Sequence, residues 1–200
     1  MRRTLSTQRG LSLTEVTIML SVLSVLTAVL SPTVGDYVED ARRVKASEDV
    51  QVLASVFARF TFDVPIDRNL EGGWAKADLL VGPGDAPTAG EDGDEAWAAE
   101  VDGQRVGRLE DHLMVNTPGY PTRRPGPRFV AAGWRGAYLS ALTPDPWGRR
   151  YAINVQSYNS STADTIVLSP GPNGVVETGF SADGVAPGGD DIVAVIAGGR

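Results

Sequence analysis

The stretch that decides the fold is Gly10–Pro32, GLSLTEVTIMLSVLSVLTAVLSP. Residues 11–30 are mostly apolar, and a helix of that length spans roughly 30 Å, the thickness of a bilayer core. Ahead of them stand Arg2, Arg3 and Arg9 with no acid among the first ten residues. That bias keeps the N-terminus cytoplasmic and sends residues 33–200 outward. An ordinary secretory signal closes in small residues of A-x-A type, and Ala28-Val29-Leu30-Ser31 does not match one. A plain signal anchor satisfies the hydropathy, but two features exceed it. Glu15 lies five residues into the apolar run, where a carboxylate calls for a partner; at the bilayer centre it would cost about 2.5–3.5 kcal/mol, and less near the interface. The alternative is an acid that snorkels to the interface. Thr14, Thr17, Ser21, Ser24, Ala28 and Ser31 recur at steps of 3, 4, 3, 4 and 3, one heptad seam. In lipid such a seam lets helices approach closely and hydrogen-bond across the contact, so it suits a helix that packs on copies of itself.

Beyond this run the chain reads as one globular body. It has 200 residues, 42% hydrophobic and 22% charged, which excludes a disordered chain and a polytopic membrane protein. A net charge of −7 argues against nucleic acid as a partner. The absence of cysteine removes disulfides, thiolate metal sites and Cys nucleophiles, and the single histidine, His112, removes any site that needs two imidazoles. With 23 Gly and 13 Pro the body should be rich in loops.

Pro32 should kink or loosen the first helix by removing an N–H. Helical pattern resumes at Asp36 with Tyr37, Ala41 and Val44, then Ala46, Val50, Leu53, Phe57 and Phe60. Residues 11 to about 62 are therefore expected as one long helix, with Arg42, Arg43, Lys45, Glu48 and Asp49 on a solvated face or in ion pairs between subunits. Residues 82–95, GPGDAPTAGEDGDE, hold four Gly, two Pro and five acids and read as a mobile loop; they match a calcium-binding stretch only in composition, without its ligand spacing. AWAAEV (96–101) and RLEDHLMVN (108–116) read as short helix or strand, His112 as structural, and PTRRPGPR (121–128) as an exposed basic connector. Tyr151–Val155, Thr165–Leu168 and Asp191–Ile196 are short, β-branched or aromatic, and bounded by turn residues. They predict three antiparallel strands packed on Leu53, Phe57 and Phe60, hence an α+β fold.

Gly133-Trp134-Arg135-Gly136-Ala137-Tyr138-Leu139 and Leu142-Thr143-Pro144-Asp145-Pro146-Trp147-Gly148-Arg149-Arg150-Tyr151 precede the first of these strands. Two prolines fix φ, Asp145 can close an Asx turn, and Trp147 offers a large apolar plug.

Gly10 followed by Leu11-Ser12-Leu13-Thr14-Glu15 resembles the type III signal of type IV pilins and type II secretion pseudopilins. In that family a membrane peptidase cuts after the Gly and methylates the new N-terminus. The resemblance implies a leader over 1–10, cleavage between Gly10 and Leu11, N-methylation of Leu11, a transmembrane and filament-core half over 11–36, and a periplasmic domain over 37–200. Glu15 becomes the fifth residue of the shortened chain and Pro32 the twenty-second, the family's places for its assembly glutamate and its helix-bending proline. Leu11 stands where Phe is usual and keeps the place apolar. The cation for Glu15 is then the new amino terminus of a neighbouring subunit. The Pro144–Tyr151 stretch is similar to that before the first strand of the major pseudopilin of type II secretion systems.

The resemblance further implies a type IV pilin-like fold and no enzymatic activity. Its partners would be copies of itself in a filament, a prepilin peptidase, minor pseudopilins, the inner-membrane assembly platform, and membrane lipid before assembly. The chain would sit in a bacterial inner membrane by a single pass with its N-terminus in the cytoplasm, and the filament in the periplasm. The family binds calcium in the loop after its strands, which maps here to Leu168, Gly171, Asn173, Asp190 and Asp191. Asn173 stands where the family has Asp, and the longer intervening stretch VVETGFSADGVAP brings Glu177 and Asp183. An acidic loop without metal remains the alternative reading. Two other functions stay open: a subunit of a surface type IV pilus, and a membrane-anchored ligand-binding module. For an enzyme the sequence offers no Ser/His/Asp set, no phosphate loop and no acid pair, since adjacent Asp190 and Asp191 on a strand would face opposite ways.

Overall fold

The computed structural model describes residues 10–64, 66–67, 69–90, 95–122, 133–158, 163–181 and 187–196, with the side chains of 31–33 excepted. Arg2, Arg3, Arg9, Asp183 and residues 123–128 of the basic connector lie outside the described residues. The chain divides into two compact units, Met1–Ala41 and Arg42–Arg200.

Among the described residues one helix, α1 (Leu13–Asp63), is the first unit's secondary structure, and it opens the second. It begins in a capping box. The Ser12 hydroxyl accepts the Glu15 N–H at 3.2 Å, and the Glu15 carboxylate accepts the Ser12 N–H at 2.9 Å. The helical backbone continues through Pro32 without ending there. From Leu13 to Leu30 the side chains are exposed, and this segment is long and apolar enough to cross a membrane. Two of the seam hydroxyls are already engaged: Thr17 donates to the Leu13 carbonyl and Ser21 to the Thr17 carbonyl, each at 2.8 Å. They act as small surfaces bonded to their own helix rather than as spare donors.

In the second unit, residues 42–63 of α1 turn Ala46, Val50, Leu53, Ala54, Phe57 and Phe60 inward. The buried stripe starts at Ala46; Val44, expected on it, is exposed. Asp49 leaves the expected solvated face, because it is half-buried, pairs with Lys45 and accepts the Tyr151 hydroxyl at 3.0 Å. The last helical residue, Asp63, is an acid at the negative end of the helix dipole. Arg135 offsets that repulsion at 3.0 Å, and the Tyr138 hydroxyl donates to the same buried carboxylate at 3.1 Å.

The strands are β1 (Leu79–Val81), β2 (Thr88–Ala89), β3 (Val106–Arg108), β4 (Ala152–Ile153), β5 (Ile166–Ser169), β6 (Val175–Val176) and β7 (Ile192–Val195). The main sheet has five strands in the order β3-β1-β4-β5-β7. The expected three-stranded antiparallel sheet is thus corrected. Its β4, β5 and β7 are present and antiparallel, but β1 pairs on the far side of β4, and β3 adds to β1 in parallel, making the sheet mixed. Both faces are covered. Leu80, Ile153 and Val167 meet Phe57 and Phe60 of α1, while Leu79, Val81, Ile166 and Leu168 pack with Trp97 and Phe180 on the other side. A strand buried on both faces loses the alternation that marks strands in a sequence, so Leu79–Val81 has no period to read.

The expected loop 82–95 is also corrected in part, since Thr88–Ala89 is a strand paired in parallel with Val175–Val176. Residues 95–98 form a 3₁₀ turn that buries Trp97, and Asp111–Val115 a π-helical turn that buries His112 and Leu113.

Candidate functional site

Gly10, Leu11 and Ser12 precede the helix and are exposed, so the Gly10–Leu11 bond lies in non-helical backbone. Glu15 is held one turn into α1 by the Ser12 N–H. Inside the chain the capping box engages this carboxylate as an acceptor.

The Pro144–Arg149 turn is built around Asp145, which is 4% exposed. Its Oδ1 accepts the N–H groups of Trp147 at 3.0 Å and Arg149 at 2.8 Å, the expected Asx turn. Its Oδ2 accepts the Ser169 hydroxyl at 2.7 Å, and the Gly171 N–H reaches that hydroxyl at 3.3 Å. Gly84 packs on the backbone of Arg149, where any side chain would come within 2.7 Å, and has φ +118°. Trp147 is half-buried and joins neither hydrophobic cluster.

Gly171, Asn173, Asp190 and Asp191 are carried on the turns that follow β5 and precede β7, and Leu168 lies in β5 with its side chain in the second core. Asp190 and Asp191 are not on a strand, as β7 starts at Ile192, so strand alternation does not govern them. Gly171, with φ +65°, approaches the Asp190 carbonyl so closely that a side chain would collide with it. Asn173 closes the turn into β6: its Oδ1 accepts the Val175 N–H at 2.6 Å, and its Nδ2 donates to Glu177 at 3.3 Å. Asp191 is 6% exposed. Its Oδ2 accepts the N–H of Glu177 at 2.9 Å and the N–H and hydroxyl of Thr178 at 2.7 Å each. Burial nonetheless pushes its carboxyl above the ordinary range, with Glu177 adding to the rise.

Glu177 Oε2, Asp190 Oδ1 and Asp191 Oδ1 are shut off from solvent and accept no hydrogen bond among the described residues. Carboxylate oxygens in that condition fit a hard cation. Among the described residues no three His, Asp or Glu side chains make a metal centre by themselves, so a cation here would draw on carbonyl oxygens as well. Glu177 was legible only as an acid in an inserted stretch; its place against the far end of the loop has no sequence signal.

His112 is structural. It is 2% exposed, its Nδ1 meets the Tyr120 hydroxyl at 2.7 Å, and that hydroxyl also accepts the Trp74 N–H at 2.7 Å. Tyr120 therefore donates to an unprotonated Nδ1. Desolvation lowers the imidazole to about 4 against a weak opposing pull from Asp111.

No protein-family model, no curated protein and no solved structure matches the chain.

Proposed function

We propose that this chain is a pilin-like structural subunit, processed after Gly10, methylated on Leu11, and polymerised into the periplasmic pseudopilus of a type II secretion system. The observation that carries this reading is the contrast along α1. Residues 13–30 leave their apolar side chains bare, while residues 46–60 bury theirs in a core of their own unit. A bare apolar helix is stable in lipid or against other such helices, and in water it is not. Exposed, non-helical backbone at Gly10–Leu11 suits a peptidase, which needs an extended substrate.

In the assembled filament Glu15 pairs with the amino terminus of the next subunit and sets the register. The capping box holds its carboxylate at the start of the helix, beside the position that Leu11 takes as the new terminus. The loop on the globular unit binds calcium. Asp190, Asp191 and Asn173, with the carbonyl oxygens of Leu168 in β5 and of Gly171, would hold it, and its charge would neutralise carboxylates that have no cation among the described residues.

The test is Glu15→Ala, expressed beside wild type in a bacterium with its prepilin peptidase and assembly platform. Cleavage should persist and filaments should be lost. Filaments of normal abundance from the variant would overturn the pairing.

A further inference from the structure

β1 and β3 run parallel, so the segments that leave their C-terminal ends start side by side, and a cavity of about 480 Å³ is lined by both exits. Residues 82–86 line it after β1, and Arg108 and Glu110 at the end of β3, with Glu100, Val101 and Arg150 beside them. The wall is fixed before any ligand arrives. The Arg150 N–H donates to the Asp85 carbonyl at 3.1 Å, and the Gly82 N–H to the Tyr151 carbonyl at 2.8 Å. A cavity of this size takes a small molecule.

Arg150 gives the cavity its chemistry. It is 4% exposed, and its Nη2 is spent on the carbonyls of Trp97 at 3.0 Å and Ala99 at 2.8 Å. Among the described residues Nε meets no acceptor, and no carboxylate forms an ion pair with the guanidinium. Glu100 is felt only through space, where it opposes the fall that burial imposes on the Arg150 pKa. Glu110 is in the converse condition: its Oε2 meets no donor among the described residues. Water filling the cavity would satisfy hydrogen bonds but leave a buried guanidinium without its counter-charge, which is costly. A ligand that meets both groups carries a carboxylate for Arg150 and an ammonium for Glu110.

The full lining sharpens that class. It holds three acids, Asp85, Glu100 and Glu110, against two cations, Arg108 and Arg150. A simple carboxylate would leave the cavity still more negative, and a zwitterion would leave the excess acid unanswered; one further ammonium balances it. We propose that this cavity binds a free amino acid with a basic side chain, its carboxylate at Arg150 and an ammonium at Glu110. The aliphatic stem of such a ligand has Pro83 and Val101 to lie against.

The full-length protein in detergent micelles is titrated by calorimetry with L-lysine, with 1,5-diaminopentane, which lacks the carboxylate, and with hexanoate, which lacks both ammonium groups. L-lysine should bind saturably, and the other two at least about tenfold more weakly. Arg150→Gln should weaken L-lysine by about a hundredfold and Glu110→Gln by about tenfold, as expected for a buried and a half-buried charge. Glu48→Gln, at an exposed acid of α1, should change nothing. No saturable binding of L-lysine up to about 10 mM overturns the proposal, as does equal affinity for either partial ligand. Should Arg150→Gln lose its near-ultraviolet dichroism, Glu110→Gln decides, and an unchanged affinity there overturns the proposal.

Discussion

Asp145 accepts the Ser169 hydroxyl at 2.7 Å, and this bond ties the Pro144–Arg149 turn to the end of β5. Through the Ser169 oxygen it also reaches the Gly171 N–H, where the acidic loop begins. The two-proline turn is thus hydrogen-bonded to the start of the loop through Ser169.

Asp145→Ala would leave two backbone donors and the Ser169 hydroxyl unpaired in a buried place. The loss should be about 3 kcal/mol, from roughly 1–3 kcal/mol for each buried group left unsatisfied. Ser169→Ala should cost less, about 1 kcal/mol. Urea unfolding of the micelle-held chain, followed by tryptophan fluorescence, measures both. Equal losses would separate the two residues' roles differently.

Phe60 meets Phe57, Trp74, Tyr120 and Tyr138 with ring centroids between 5.5 and 6.2 Å and is fully buried. Phe60→Ala should cost about 3–5 kcal/mol, the ordinary range for a large aromatic deleted from a core. Loss of near-ultraviolet dichroism at a lower urea concentration reads this out.

His112 gives the fold a pH dependence of known sign. Its folded pKa of about 4 lies below the 6.5 of the free imidazole, so the unfolded state binds the proton first. The stability is complete above the unfolded value and drains away as pH falls from 6.5 toward 4, by about 3 kcal/mol at most. Melting temperature should fall across that window in wild type and much less in His112→Gln. Parallel pH profiles would contradict the burial account.

Asp191 has the opposite sign. Burial raises its folded pKa, so its ionisation works against the fold as pH climbs through that value. In chelator at neutral pH, Asp191→Asn should match or exceed the wild-type melting temperature, since an amide oxygen can still accept the Glu177 and Thr178 donors. In calcium the order should reverse, because the variant gains nothing from the metal.

Much of this architecture was legible in the residues, and the gaps have identifiable causes. Helix α1 announced itself through its apolar run and the Val50–Phe60 stripe, because a helix half-covered by core must alternate at 3.6 residues. β5 and β7 stood out for β-branched residues between turns. β1 did not, because Leu79, Leu80 and Val81 are buried on both faces and carry no polar member. β2 was hidden inside a Gly- and Pro-rich stretch and exists only through its pairing with β6, a contact 86 residues away in the case of the Thr88 hydroxyl and the Gly174 carbonyl. At the candidate site, Asp145 was readable from its place between prolines. The Glu177–Asn173 contact was not, since nothing in an acidic loop says which acid turns inward.

The central claim is that the exposed apolar helix is made for processing and assembly, and its most direct test is the mass of the chain's first residue. The protein is recovered from a bacterium that contains its prepilin peptidase, and its N-terminal peptide is sequenced by mass spectrometry. The account predicts a chain that starts at N-methylated Leu11. A chain that retains Met1–Gly10, or that is cut after Leu30, contradicts it.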